Sequence, residues 1–119
     1  STYDFTGKRL AVVVSVKTFS NHPTRITASH DVKALQRSLT KLDFRCFALD
    51  GIVLADDVKK KIACALNDVQ DCDMFLLVLC THATNKTKEL IFSDGERIRL
   101  GEFQKVNATY NSIKYHHNV

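Results

Sequence analysis

Arg9-Leu10-Ala11-Val12-Val13-Val14-Ser15-Val16 is rich in β-branched residues and almost unbroken in its apolarity. A strand with one wet face alternates polar and apolar residues. A run without alternation suits a central strand covered on both faces, as in a parallel sheet. Met74-Phe75-Leu76-Leu77-Val78-Leu79-Cys80 is a second such run and the most apolar segment of the chain. Between them, Phe44-Arg45-Cys46-Phe47-Ala48-Leu49 reads as another strand, closed by Asp50-Gly51.

The segments joining these strands have helical periodicity. Across 28–42, Val32, Leu35, Leu39 and Leu42 form one apolar stripe, with Lys33, Gln36, Arg37 and Lys41 on other faces. Across 55–69 the stripe is Val58, Ile62, Leu66 and Val69. Asp56 and Asp57 stand in its first turn, where negative charge complements the helix dipole. The polar stretch 17–27, with the only proline, Pro23, reads as a long loop. Residues 89–98 read as a short hairpin turning at Asp94-Gly95. Residues 99–113 are weakly helical through Leu100, Phe103 and Val106, and 115–119 show no clear pattern.

Strands alternating with helices predict right-handed crossovers and a parallel sheet, in strand order 2-1-3. The expected fold is α/β in three layers: a mainly parallel sheet, helices on both faces, and a small hairpin. With no repeat and no linker, residues 1–119 read as one domain. Such a sheet leaves the third strand at an open edge. The short polar tail looks like a poor cover, so a partner chain or self-association is expected.

The composition narrows the function. The chain is 45% hydrophobic with a net charge of +4, which suits a globular protein. No apolar run reaches the ~18 residues that cross a bilayer, and residues 1–8 hold no signal-peptide core. Neither a membrane nor nucleic acid is expected as partner. The one basic run, Lys59-Lys60-Lys61, lies in a helical pattern and reads as a solvated face. Cys46, Cys64, Cys72 and Cys80 contain no CxxC pair, so a reduced, cytoplasmic protein without disulfides is the reading. Asn107-Ala108-Thr109 reads as a chance glycosylation match.

No glycine-rich phosphate loop follows the first strand, and the five histidines match no zinc spacing, His116-His117 included. No cofactor and no metal are expected. In a parallel sheet, functional groups gather beyond the carboxyl ends of the strands. Arg25 and His82 fall there. His82, ending the most buried strand, is placed to act as a general base. Cys80, two residues earlier, shares its sheet face, but a thiol that deep in a strand is inert.

Several stretches, taken in order, resemble the large-subunit region of caspases, the aspartate-directed cysteine proteases. Lys8-Arg9-Leu10-Ala11-Val12-Val13-Val14 is similar to the family's first strand. Arg25-Ile26-Thr27-Ala28-Ser29-His30-Asp31 resembles its arginine motif at the head of the first helix. Leu39-Thr40-Lys41-Leu42-Asp43-Phe44 resembles the end of that helix, and Leu54-Ala55-Asp56-Asp57-Val58 the start of the next. Met74 through Ala83 resembles the strand ending Ser-His-Gly, and Phe92-Ser93-Asp94-Gly95 the hairpin turn after it.

The resemblance implies that His82 is the catalytic histidine, that the Ala83 N–H serves the oxyanion, and that Arg25 holds the substrate aspartate. It implies a peptide substrate with aspartate at the cleavage position and protein partners: a caspase small subunit, an active caspase or a second copy. Three departures stand out. Ala83 replaces a glycine, and Thr27 and Ser29 replace the glycine and first aspartate of the arginine motif. The family's nucleophile lies roughly 50 residues after the histidine, and no cysteine follows His82. The expectation is a caspase-like domain tied to cell-death or immune signalling. It is either a fragment whose nucleophile lies elsewhere or a pseudo-protease, inactive alone. The alternative is a flavodoxin-like or TIR-like interaction module.

Overall fold

The computed structural model describes residues 8–68, 72–84, 87–99, 101–102 and 112–117. The elements run β1 (Lys8–Val16), α1 (Ala28–Lys41), β2 (Phe44–Gly51), α2 (Ala55–Asp68), β3 (Cys72–Thr81), β4 (Glu89–Ile91), β5 (Arg97–Arg99) and β6 (Ser112–His117). The main sheet has the order β2-β1-β3-β6, with all three pairings parallel, and β4 and β5 form a separate antiparallel pair.

The continuous apolar run of β1 is explained by its place. Leu10, Ala11, Val12 and Val13 are fully buried because strands lie on both sides and helices on both faces. Alternate residues feed two cores. Leu10, Val12, Val14 and Val16 join Phe75, Leu77 and Leu79, the α2 residues Val58, Ile62 and Ala65, and the hairpin residues Leu90, Phe92 and Ile98. Ala11 and Val13 join Val78, Cys80 and the α1 residues Val32 and Leu39. The hairpin turn needs its glycine: Gly95 has φ +85°, and an added Cβ would stand 3.2 Å from Ser20 Oγ.

Two expectations need correction. Leu42 does not complete the α1 stripe: the helix ends at Lys41, and Leu42, at its C-cap, is 56% exposed. The open edge at β3 is also absent. Residues 112–117, read as the end of a weak helix and a patternless tail, form β6 and pair with β3 from Leu76↔Ser112 to Thr81↔His117. A parallel neighbour satisfies the ladder groups of β3, so the need for a partner at that edge disappears. Of the expected last helix, only 101–102 are helical among the described residues. Val69, Phe103, Val106 and the sequon at 107–109 lie outside the described residues, as do the side chains of Leu66, His116 and His117. Among the described residues, no helix is long and apolar enough to cross a membrane.

Candidate functional site at the carboxyl edge

The strands of the parallel sheet deliver their carboxyl ends to one edge, and the loops there are tied together. Lys17 N–H donates to Gly51 O at 2.8 Å, joining the exits of β1 and β2. Arg25 N–H returns to Lys17 O at 2.9 Å, closing the 17–25 loop on itself. Ser93, in the β4–β5 turn, accepts from Ser20 N–H and donates its own N–H to Val53 O. The hairpin therefore clamps the loops after β1 and β2.

His82 follows the last residue of β3. Its Nε2 lies 2.9 Å from Pro23 O. A carbonyl only accepts, so Nε2 carries the proton and Nδ1 is the basic nitrogen. The ring also packs on Phe19, with centroids 4.6 Å apart, and lies 6.0 Å from the ring of His22. A backbone carbonyl and an aromatic ring thus fix the orientation of the imidazole.

Ala83 forms an antiparallel bridge with Leu90. The flanking bonds run from Ile91 N–H to His82 O and from Thr84 N–H to Glu89 O, both at 3.0 Å. Ala83 is therefore in a non-hydrogen-bonded pair, and its own N–H points away from β4. Non-glycine residues with positive φ among the described residues are Asp43 and Lys88, so alanine sits at position 83 without backbone strain.

Arg25 reaches the same edge but lies inside it, with its side chain only 2% exposed. Nη1 donates to Val16 O at 2.9 Å, Cys80 O at 3.1 Å and Ser15 Oγ at 3.2 Å. Nη2 meets Asp31 Oδ2 at 3.2 Å, and Thr27 Oγ1 donates to the same oxygen. Nε is buried and has no acceptor. The chain links Arg25 to His82 twice, through Pro23 two residues before Arg25 and through Cys80 two residues before His82. The structure thus brings Arg25, His82 and Ala83 to one edge, as the sequence reading expects.

Sequence reasoning missed Pro23, Phe19, His22 and Ser15. A backbone carbonyl leaves no trace in residue type, and Ser15 looks like any small residue of a buried strand.

Cys80 lends this edge its carbonyl, while its thiol is buried. Cys80 packs with Ala11, Val13 and Val32 under α1 and is 2% exposed. Burial pushes its thiol up, Arg25 acting the other way and Asp31 adding to the rise. Burial also raises Cys46 in β2, offset in part by a hydrogen bond with Thr40. Cys72 opens β3 at the opposite end, and Cys64 is exposed on α2. Thiolates react and thiols do not, so iodoacetamide at neutral pH should label Cys64 well before Cys80. Time-resolved mass mapping that finds Cys80 labelled as fast as Cys64 in the folded chain would contradict this packing. Among the described residues, no group of three or more His, Cys, Asp or Glu could hold a metal.

Comparison with known proteins agrees with this architecture. The solved structure of the Drosophila initiator caspase Dronc superposes with a TM-score of 0.75 at 20% identity, over 89% of this chain and 47% of that one. Caspase-1 from Spodoptera frugiperda gives 0.76 at 16% identity, over 97% of this chain and 49% of the other. The chain therefore spans about half the length of these caspases, and identities this low establish the fold alone. No curated protein matches significantly. The profile of the caspase domain matches residues 8–115, nearly the whole chain and every strand of the sheet except the end of β6. With that match added to the shared fold, the chain belongs to the caspase-domain family of cysteine proteases.

Proposed function

We propose that the chain carries the base-bearing half of an aspartate-directed cysteine-peptidase site. Residues 1–119 by themselves bind rather than cleave, either as a cytoplasmic pseudo-protease or regulatory partner of an active caspase in cell-death or immune signalling, or as part of a longer protein that supplies the nucleophile. The observation that carries this reading is the His82–Pro23 hydrogen bond, with the Cys80 thiol buried under α1 and Cys64 exposed on α2. With the proton held on Nε2, Nδ1 would take the proton of an incoming thiol and later return it to the leaving amine. The Ala83 N–H would face the oxyanion. Arg25 would hold the substrate aspartate, its buried Nε–H being the donor still without an acceptor. A substrate carboxylate would then have to share Arg25 with Asp31.

The proposed partner is a caspase-type chain, or a second copy, that adds a strand beyond β6. Among the described residues that strand ends the sheet, with β3 as its one neighbour. An edge strand presents a row of ladder groups to any strand that pairs with it.

The purified chain should show no turnover of fluorogenic aspartyl peptides, yet should change the rate or assembly of an active caspase when mixed with it. Hydrolysis by the chain alone that survives Cys80→Ser but is lost in His82→Ala would reveal another nucleophile and end the pseudo-protease reading.

A further inference from the structure

The exposed apolar residues gather along the other edge of the sheet. Among the described residues β2 ends the sheet on the side away from β6, with β1 as its one neighbour. Large hydrophobic side chains stand exposed at four described positions: Ile26, Leu42, Ile52 and Leu54. Leu42 precedes β2, and Ile52 and Leu54 follow it. Ile26 joins them through Lys17, whose N–H donates to Gly51 O and whose carbonyl accepts from the N–H of Arg25.

The backbone of β2 is a template for a further strand. Its register with β1 is unbroken from Arg9↔Phe44 to Val16↔Gly51. The bond from Lys17 N–H to Gly51 O fixes the parity of that ladder. Phe47, Leu49 and Gly51 turn their backbone groups to β1, and Phe44, Cys46, Ala48 and Asp50 turn theirs outward. Native edges are blunted by short length, bulges, proline or inward-pointing charge. β2 runs for eight residues with no proline and no shift of register. Its charged residues, Arg45 and Asp50, are of opposite sign. Phe47 and Leu49 pack into the core on the α2 face, and Phe44, Cys46 and Ala48 into that on the α1 face, so the strand is anchored on both faces.

We propose that β2 pairs antiparallel with β2 of a second copy of this chain, about a two-fold axis near Phe47 and Ala48. A two-fold dimer places the same patch on both partners, and two identical strands that meet edge to edge across such an axis run in opposite directions. The start of one strand then meets the end of the other. Leu42 of one copy packs against Ile52 and Leu54 of its partner, and the symmetry repeats that contact at the other end. Apolar residues at both ends of one edge identify a second copy as the occupant, because only self-pairing uses both ends twice. The outward groups of Phe44, Cys46, Ala48 and Asp50 supply the ladder, and the two sheets become one. β6 lies at the far edge and takes no part.

The test is sedimentation equilibrium of the chain across a concentration series, with residue-resolved amide exchange on dilute and concentrated samples. A monomer–dimer equilibrium is expected. Amides 44, 46, 48 and 50 should exchange quickly in dilute solution and slowly when concentrated, while 47, 49 and 51 stay slow in both. Ile52→Lys should weaken dimerisation by about tenfold or more, because the isoleucine side chain leaves water only in the dimer. Leu42→Lys is the second variant and should act in the same direction. Both positions are exposed, so neither substitution disturbs the core. A chain that stays monomeric at every concentration would overturn the proposal. So would dimers whose new protection appears at 112–117, or unchanged dimerisation in both lysine variants. Protection of the outward amides only when another protein is added would assign the edge to that partner and overturn self-pairing. Peptide hydrolysis does not enter these readouts, so this test is separate from that of the peptidase site.

Discussion

Arg25→Ala is expected to lower the unfolding free energy by about 3–5 kcal/mol, the range for breaking a buried charge pair. The guanidinium joins β1 through Val16 O and Ser15 Oγ, β3 through Cys80 O, and α1 through Asp31. Alanine strands the carbonyls of Val16 and Cys80 in a dry interior, each costing about 1–3 kcal/mol. It also opens a cavity where the two strands and the helix meet. Asp31→Asn leaves the buried guanidinium without its counter-charge, but the amide oxygen can still accept from Nη2 and the contacts of Nη1 remain, so it should cost less, about 1–3 kcal/mol. Native domains hold only about 5–15 kcal/mol in total, so Arg25→Ala should move the urea midpoint sharply and Asp31→Asn by a smaller amount. Equal shifts in the two variants would show that the ion pair, rather than the carbonyl contacts, is what Arg25 supplies. The same measurement matters for function, because loss of activity in an Arg25 variant reports on substrate binding only if the fold survives.

Phe75→Ala is expected to cost about 3–5 kcal/mol, as for other buried phenylalanines cut to alanine. Phe75 is 1% exposed, lies opposite Leu10 in the β1–β3 register, and belongs to the core shared with α2 and the hairpin. Phe47 supplies the contrast: it is only partly buried on the edge strand β2, with Arg45 and Lys61 over its ring. Its truncation should cost clearly less, because part of the ring is already in water and less area returns to solvent. Chemical denaturation of both variants checks the ranking. A Phe47→Ala cost equal to that of Phe75→Ala would mean that the β2 side of the sheet is as well covered as its centre.

Elements with a local cause were legible in the sequence. Unbroken apolar runs marked β1 and β3 because a strand covered on both faces has no polar side to show. The spacing of Val32, Leu35 and Leu39, and of Val58 and Ile62, marked two helices because a 3.6-residue period puts those side chains on one face. The Asp94-Gly95 turn was legible because a left-handed backbone favours glycine. The order of these elements placed Arg25, His82 and Ala83 at the carboxyl edge, since right-handed crossovers leave few alternatives.

Tertiary structure alone decided the rest. Residues 112–117 carry no strong pattern, and they become β6 because the apolar edge of β3 offers ladder groups that need partners. Leu42 matched the helical stripe, yet the chain had to leave α1 there to enter β2 beside β1. The carbonyl of Pro23 orients His82, and side-chain chemistry says nothing about where a carbonyl points. Arg25 read as a group open to substrate, whereas packing enclosed it among Ser15, Val16, Cys80 and Asp31. A buried guanidinium is stable only where acceptors from several distant segments converge, and that convergence exists only once the chain has folded.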